Sequence, residues 1–84
     1  MADFTVEQLE NTTLVKEHWT LLNERERQVI FILYGMDKTP NKPRTLSEAA
    51  TFLVNYATDY PDHLTRERVR QIEAKVLYKI RKVT

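Results

Sequence analysis

The side chains best suited to chemistry are concentrated in the last twenty residues. The run Leu64-Thr65-Arg66-Glu67-Arg68-Val69-Arg70-Gln71-Ile72-Glu73-Ala74-Lys75 brings together arginine, glutamate and glutamine on one predicted helix. On a helix that enters the major groove of DNA, arginine can bond guanine, glutamine can bond adenine, and glutamate can accept from the cytosine amino group. Further along, Lys75, Lys79 and Arg81 would neutralise phosphates. These residue types favour nucleic-acid recognition.

The charge distribution points the same way. Residues 65–84 carry seven Lys and Arg against two Glu, whereas residues 1–64 carry six basic against ten acidic residues. Such asymmetry is typical of chains that bind nucleic acid or another polyanionic surface. A plainer interpretation is a solvated basic face, since cations near a helix C-terminus also interact favourably with the helix dipole. Composition alone gives the two interpretations equal weight.

Composition argues against several other classes of function. The chain has no cysteine for a disulfide or a thiolate metal site, and its single glycine, Gly35, argues against a glycine-rich phosphate loop. His18 and His63 are far apart in the sequence and belong to no metal-ligand pattern. The sequence also contains no recognisable catalytic combination of nucleophile, base and orienting group. We therefore predict neither an enzyme nor a bound metal or cofactor. No apolar run approaches the roughly 20 residues that cross a bilayer, and the N-terminus does not resemble a signal peptide. We therefore expect a cytoplasmic protein without membrane contact.

The first half of the chain contains signals for two helices. Thr5 with Gln8 forms a capping box that predicts a helix to about Trp19. Its apolar stripe would be Val6, Leu9, Leu14 and Trp19. The alternative is a break near Asn11, because short polar side chains compete for backbone hydrogen bonds. A second capping signal at Asn23 predicts a helix over about Glu24–Tyr34, which is apolar nearly all round and therefore buried or partly covered by a partner.

The second half contains signals for two more helices. Two prolines predict a loop over residues 36–44, after which Thr45 begins a helix that ends near Ala57. Thr65 begins the last helix, whose buried stripe would be Val69, Ile72, Val76, Ile80 and Val83. We thus predict an all-α fold, a small helical domain of about four helices with a C-terminal helix-turn-helix. Its turn, residues 58–64, is enlarged, since three or four residues are usual.

Several of these segments resemble region 4 of primary bacterial sigma factors. The run from Leu64 to Leu77 resembles the promoter-recognition helix, and Arg44 to Ala50 resembles the first helix of its helix-turn-helix. Leu22-Asn23-Glu24-Arg25-Glu26, with Val29-Ile30 and Tyr34-Gly35-Met36-Asp37, is similar to the start of the region. The similarity predicts a region-4-like domain over residues 22–84 and leaves residues 1–21 as an N-terminal helical segment of unassigned role.

The resemblance implies a transcription factor that docks on the flap of the RNA polymerase β subunit and contacts double-stranded promoter DNA at the −35 element. By position, the implied DNA-binding residues are Arg66, Glu67, Arg70, Gln71, Lys75 and Lys79, with the two lysines facing phosphate or a neighbouring activator. Flap docking in the family uses an apolar surface. Here we assign it to Val29, Ile30, Leu33 and Tyr34.

Two departures from the family leave alternatives open. Residues are added between Ala50 and Thr65, which puts DNA reading in doubt more than polymerase docking. The other sigma regions have no counterpart in the sequence, so we expect a stand-alone protein, with a phage or mobile element as its source. A separate protein would supply the other sigma regions if they are needed. The alternatives are an interaction protein that has lost DNA reading, such as a sigma decoy or anti-sigma-like adaptor, and a helix-turn-helix repressor that acts without polymerase.

Overall fold

A computed structural model describes residues 6–56 and 64–84. This part of the chain forms four α-helices, α1 (Val6–Glu17), α2 (Glu24–Leu33), α3 (Leu46–Tyr56) and α4 (Arg66–Val83), and a short 3-10 helix, Trp19–Leu21. It contains no strand, which confirms the all-α fold class. The predicted cap at Thr5, and the predicted enlarged turn apart from Leu64, lie outside the described residues.

Three helices begin where their capping residues predict. The Asn23 side chain accepts from the Glu26 N–H at 2.8 Å, and the Glu26 carboxylate accepts from the Asn23 N–H at 2.9 Å. Thr45 and Glu48 make the same reciprocal pair at 3.1 and 2.8 Å. The Thr65 hydroxyl accepts from the N–H three residues on, at 3.2 Å. Each bond satisfies a backbone donor that has no partner within its helix.

Helix α1 agrees with its prediction in one respect and differs from it in another. It runs unbroken through Asn11, because the Thr12 hydroxyl donates to the Gln8 carbonyl at 2.7 Å instead of interrupting the helix. The predicted apolar stripe is half right: Leu14 and Trp19 are partly buried against the core, whereas Val6 and Leu9 are exposed. The buried residues on this helix are Asn11, Thr12 and Val15. Helix α1, which packs against α4, therefore buries polar as well as apolar side chains.

The hydrophobic core lies where α2, α3 and α4 pack against one another. Helix α4 contributes Val69, Ile72, Val76 and Ile80, all buried at helical spacing as predicted. Val83, predicted in the same stripe, is exposed because it is the last residue of the helix. Ala49 and Ala50 of α3 are buried too, and their small side chains allow the close approach of neighbouring helices.

The connection from α2 to α3 is held by Gly35 and Arg44. Gly35 has φ 66°, the left-handed conformation that glycine commonly adopts just after the end of a helix. The Arg44 guanidinium donates to both carboxylate oxygens of Asp37, at 2.7 and 2.9 Å, and to the Ile32 carbonyl at 2.8 Å. It also lies over the Phe52 ring, 4.4 Å from the centroid. These contacts join the end of α2 to α3.

Candidate nucleic-acid interface

Helix α4 has one buried face and one exposed polar face. Thr65 caps its N-terminus, and the buried stripe holds the helix against α2 and α3. Five of the six predicted DNA-binding residues are exposed on this helix: Arg66, Glu67, Arg70, Gln71 and Lys75. They occupy its first three turns, about 15 Å of helix. The structure thus brings these five residues together on one surface, as a groove-entering helix requires.

Glu67 organises the polar groups at the start of α4. Its carboxylate accepts from Arg70 Nε at 2.9 Å and Nη2 at 2.6 Å, and from Gln71 Nε2 at 3.4 Å. Residues three and four apart lie on the same side of a helix, which explains why these side chains meet. The Arg70 guanidinium lowers the pKa of the Glu67 carboxyl, and the carboxylate raises the pKa of Arg70.

The Glu67 contacts occupy the donors that would read DNA bases. Arg70 and Glu67 are each more than half exposed in their side chains, so solvent screens their attraction and the pair is weak. Arg70 and Gln71 can therefore leave Glu67 when better acceptors are near. Base edges in a major groove offer such acceptors to Arg and Gln, and the cytosine amino group offers a donor to the freed carboxylate.

Lys79, the sixth predicted DNA-binding residue, is used inside the fold. Its Nζ lies 2.7 Å from Glu26 Oε1 and 3.4 Å from the Leu21 carbonyl oxygen. Glu26 is almost completely buried, and burial acts to raise its pKa, but hydrogen bonds from Lys79 and from the Asn23 N–H outweigh that effect and hold the pKa below its ordinary value. The structure therefore argues against the assignment of Lys79 to phosphate or a neighbouring activator, because its ammonium group is paired with Glu26 and joins α4 to the start of α2.

The residues predicted to dock on polymerase need the same correction. Val29, Ile30, Leu33 and Tyr34 are all buried in the core and present no surface to a partner. The apolar surface of α2 is Phe31, which is 40% exposed, beside the partly buried Ile32. A helical projection at about 100° per residue places residues 31 and 32 on the side of the helix opposite the other four. If those four form the buried face, residues 31 and 32 must lie toward the surface.

Sequence reasoning also missed a polar group inside the fold. The Tyr34 hydroxyl is buried, and it has no hydrogen-bond partner within bonding distance in the described part of the chain. Burial is the main cause that raises the pKa of Tyr34, and the nearby Glu73 carboxylate raises it further. This hydroxyl remains protonated at any physiological pH.

The described residues contain no group of three or more His, Asp or Glu side chains that could hold a metal ion. No described helix has the length and apolarity to cross a bilayer. The chain matches no protein-family model, and no solved structure matches it significantly. The interpretation of the α4 surface therefore depends on its residues and their geometry.

Proposed function

We propose that this chain acts as a transcription factor resembling sigma region 4. In this proposal it docks on the β flap of bacterial RNA polymerase and contacts upstream promoter DNA at the −35 element, which redirects or modulates transcription initiation. It acts in the bacterial cytoplasm.

The observation that carries the proposal is the exposed N-terminal half of α4. Arg66, Glu67, Arg70 and Gln71 are exposed at the capped end of a helix whose opposite face is buried against the core. Side chains at the N-terminal end of a recognition helix are those that reach base edges. Lys75, exposed on the next turn, is placed for a phosphate contact, which positions a protein on DNA without reading sequence.

The polymerase half of the proposal is assigned to the outer side of α2. Phe31 is an exposed aromatic side chain on a helix whose other large apolar residues are mostly in the core. Aromatic residues are enriched at the centres of protein interfaces, where they contribute much of the binding energy. Phe31 therefore replaces the four buried residues as the candidate contact with the flap.

Fluorescence anisotropy with a duplex that contains a −35 element tests the DNA half. Arg70→Ala and Gln71→Ala should each weaken binding by about 1–3 kcal/mol and relax sequence preference, because each removes a base-edge contact. Lys16→Ala, on the exposed side of α1, is the matched control and should bind as the unmodified protein does. If neither variant differs from the control, α4 does not read DNA.

A pull-down with the isolated β flap tests the polymerase half. Phe31→Ser should lose capture, whereas Tyr78→Ser removes a still more exposed aromatic residue from α4 and should retain it. Absence of capture at micromolar concentrations of the unmodified protein would reject polymerase docking.

One observation favours the second candidate, an interaction protein that does not read DNA. Glu67 occupies Arg70 and Gln71, and Lys79 is occupied by Glu26, so fewer side chains remain for DNA than the resemblance implies. Flap capture without sequence-dependent DNA binding would support this adaptor. A polymerase-independent repressor predicts instead a stable dimer, since such factors bind two half-sites, and sedimentation equilibrium would detect it.

A further inference from the structure

A pocket of about 220 Å³ lies between α1, the end of α2, the start of α3 and α4. Its polar lining includes Asn11, Tyr34, Arg44 and Glu73, and its apolar lining includes Leu33 and Leu46. A cavity needs only about 10–15 Å³ to hold one water molecule, so this pocket, which we term the Tyr34 pocket, has room for a larger group. The proposed DNA and polymerase contacts use none of these side chains.

The Tyr34 hydroxyl is the unusual feature of this pocket. Tyr34 is 6% exposed, and no partner lies within hydrogen-bonding distance of its hydroxyl among the described residues. Leaving a buried hydroxyl unpaired destabilises a fold, so a ligand that supplies the missing hydrogen bond gains binding free energy. Among the neighbouring groups, the Glu73 carboxylate acts most strongly on this hydroxyl, through its charge and as a hydrogen-bond acceptor beyond bonding distance.

The charges around the pocket select a cation. The charged groups that act on the Tyr34 hydroxyl are two carboxylates, Glu73 and Glu7, and one guanidinium, Arg81. Arg44 lines the pocket too, but its charge is neutralised by Asp37 at 2.7 Å. Glu73 makes no ion pair within the described residues, which leaves a carboxylate available to a bound positive charge.

We propose that the Tyr34 pocket binds an alkylguanidinium or alkylammonium cation. The N–H groups of such a cation would donate to the Glu73 carboxylate and to the Tyr34 hydroxyl oxygen, while its alkyl stem would contact Leu33 and Leu46. Two sources provide this chemistry: a small free cation, and an arginine or lysine side chain of a partner protein. The proposal is independent of the function proposed above.

An NMR titration of the ¹⁵N-labelled full chain tests the proposal. Methylguanidinium and methylammonium chloride should produce saturable shifts of the Asn11, Tyr34 and Glu73 amides that potassium chloride does not reproduce. Glu73→Gln should weaken binding at least about tenfold, because it removes the charge from a charge-assisted hydrogen bond. Tyr34→Phe keeps the ring and should weaken binding less. Glu10→Gln removes an exposed α1 carboxylate and should leave binding unchanged.

A short peptide with one internal arginine distinguishes the two sources. Binding of the peptide at the strength of methylguanidinium supports a partner side chain, and binding of the free cations alone supports a small molecule. Thermal unfolding of each variant verifies that it folds. The proposal is overturned if the shifts match those in potassium chloride, or if Glu73→Gln binds methylguanidinium as the unmodified chain does, which would leave the pocket as a site for water.

Discussion

The ion pair between Lys79 and Glu26 provides the sharpest test of the fold. Glu26 has a side chain that is 5% exposed, and its carboxylate closes the capping box of α2 while accepting from Lys79 of α4. Lys79→Met retains an apolar stem but removes the ammonium group. The buried carboxylate then loses its counter-charge, so we expect the free energy of unfolding to fall.

The size of the effect follows from burial. Removing one member of a fully buried ion pair costs about 3–5 kcal/mol, and a hydrogen bond to a charged group contributes about 1.5–3 kcal/mol. Lys79 is 36% exposed, so solvent screens part of its attraction to Glu26. We therefore expect a loss of about 1–2 kcal/mol for Lys79→Met. With a urea dependence of about 1 kcal/mol per molar for so small a domain, the unfolding midpoint should fall by about 1–2 M.

Urea unfolding followed by circular dichroism measures this loss, and a double-mutant cycle isolates the pair. Glu26→Gln preserves the capping acceptor for the Asn23 N–H while removing the charge. The coupling energy between Lys79→Met and Glu26→Gln should be about 1 kcal/mol or more. Lys75→Met, an exposed lysine one turn earlier, is the control and should change stability by less than about 0.5 kcal/mol. Equal effects of Lys79→Met and Lys75→Met, with no coupling, would refute the reasoning.

The same pair predicts part of the pH dependence of stability. The folded-state pKa of Glu26 is below its ordinary value of 4.5. A carboxyl with a depressed pKa stabilises the fold above its unfolded-state pKa, and this contribution is lost as pH falls through the folded-state value. Between about pH 5 and pH 3, the unmodified chain should therefore lose more stability than Glu26→Gln does. Parallel stability curves for the two proteins would contradict the lowered pKa.

Three further predictions test the α4 surface and the helix ends. Lys75→Ala should remove one phosphate contact and so reduce the slope of log Kd against log salt for a −35 duplex by about one. Lys79→Ala should leave this slope unchanged. Anisotropy titrations at several KCl concentrations measure both slopes. Gly35→Ala should destabilise the protein by more than about 2 kcal/mol in thermal unfolding, because φ is 66° and the added Cβ would lie 1.6 Å from the Lys42 carbonyl oxygen. Thr65→Ala should lower the free energy of unfolding by about 1 kcal/mol, because it removes the capping hydroxyl. Thr65→Ser retains that hydroxyl and should lower it much less. Unaltered stability of the alanine variant would contradict the cap.

Helix starts could be predicted from the sequence because capping is a local interaction. Asn23, Thr45 and Thr65 each bond a backbone N–H only three residues away, so the necessary information lies in four consecutive residues. The buried stripe of α4 could be predicted for a related reason, since its apolar side chains repeat with the helical period on an otherwise charged helix.

The face of a helix that becomes buried was harder to predict where the pattern is weak. In α1 the two exposed apolar residues, Val6 and Leu9, outweighed Val15 in the sequence pattern, yet the helix buries Asn11 and Thr12 beside Val15. In α2 five consecutive apolar residues, Val29 to Leu33, leave the periodicity weak. Which of them reach the surface depends on how α2 packs against α3 and α4, and that packing leaves Phe31 outside.

The spacing of residues along the chain therefore establishes the helices, their caps and the exposed polar side chains between Arg66 and Lys75, because these depend on neighbours within a turn or two. Tertiary packing alone assigns Lys79 to Glu26, a partner 53 residues away, and encloses the Tyr34 hydroxyl beside Glu73. Both are contacts between distant elements, and they exist only once the burial of apolar surface has brought α4 against α2. The last helix thus has five of its six predicted DNA-binding side chains on its exposed face. The sixth, Lys79, forms an ion pair with Glu26.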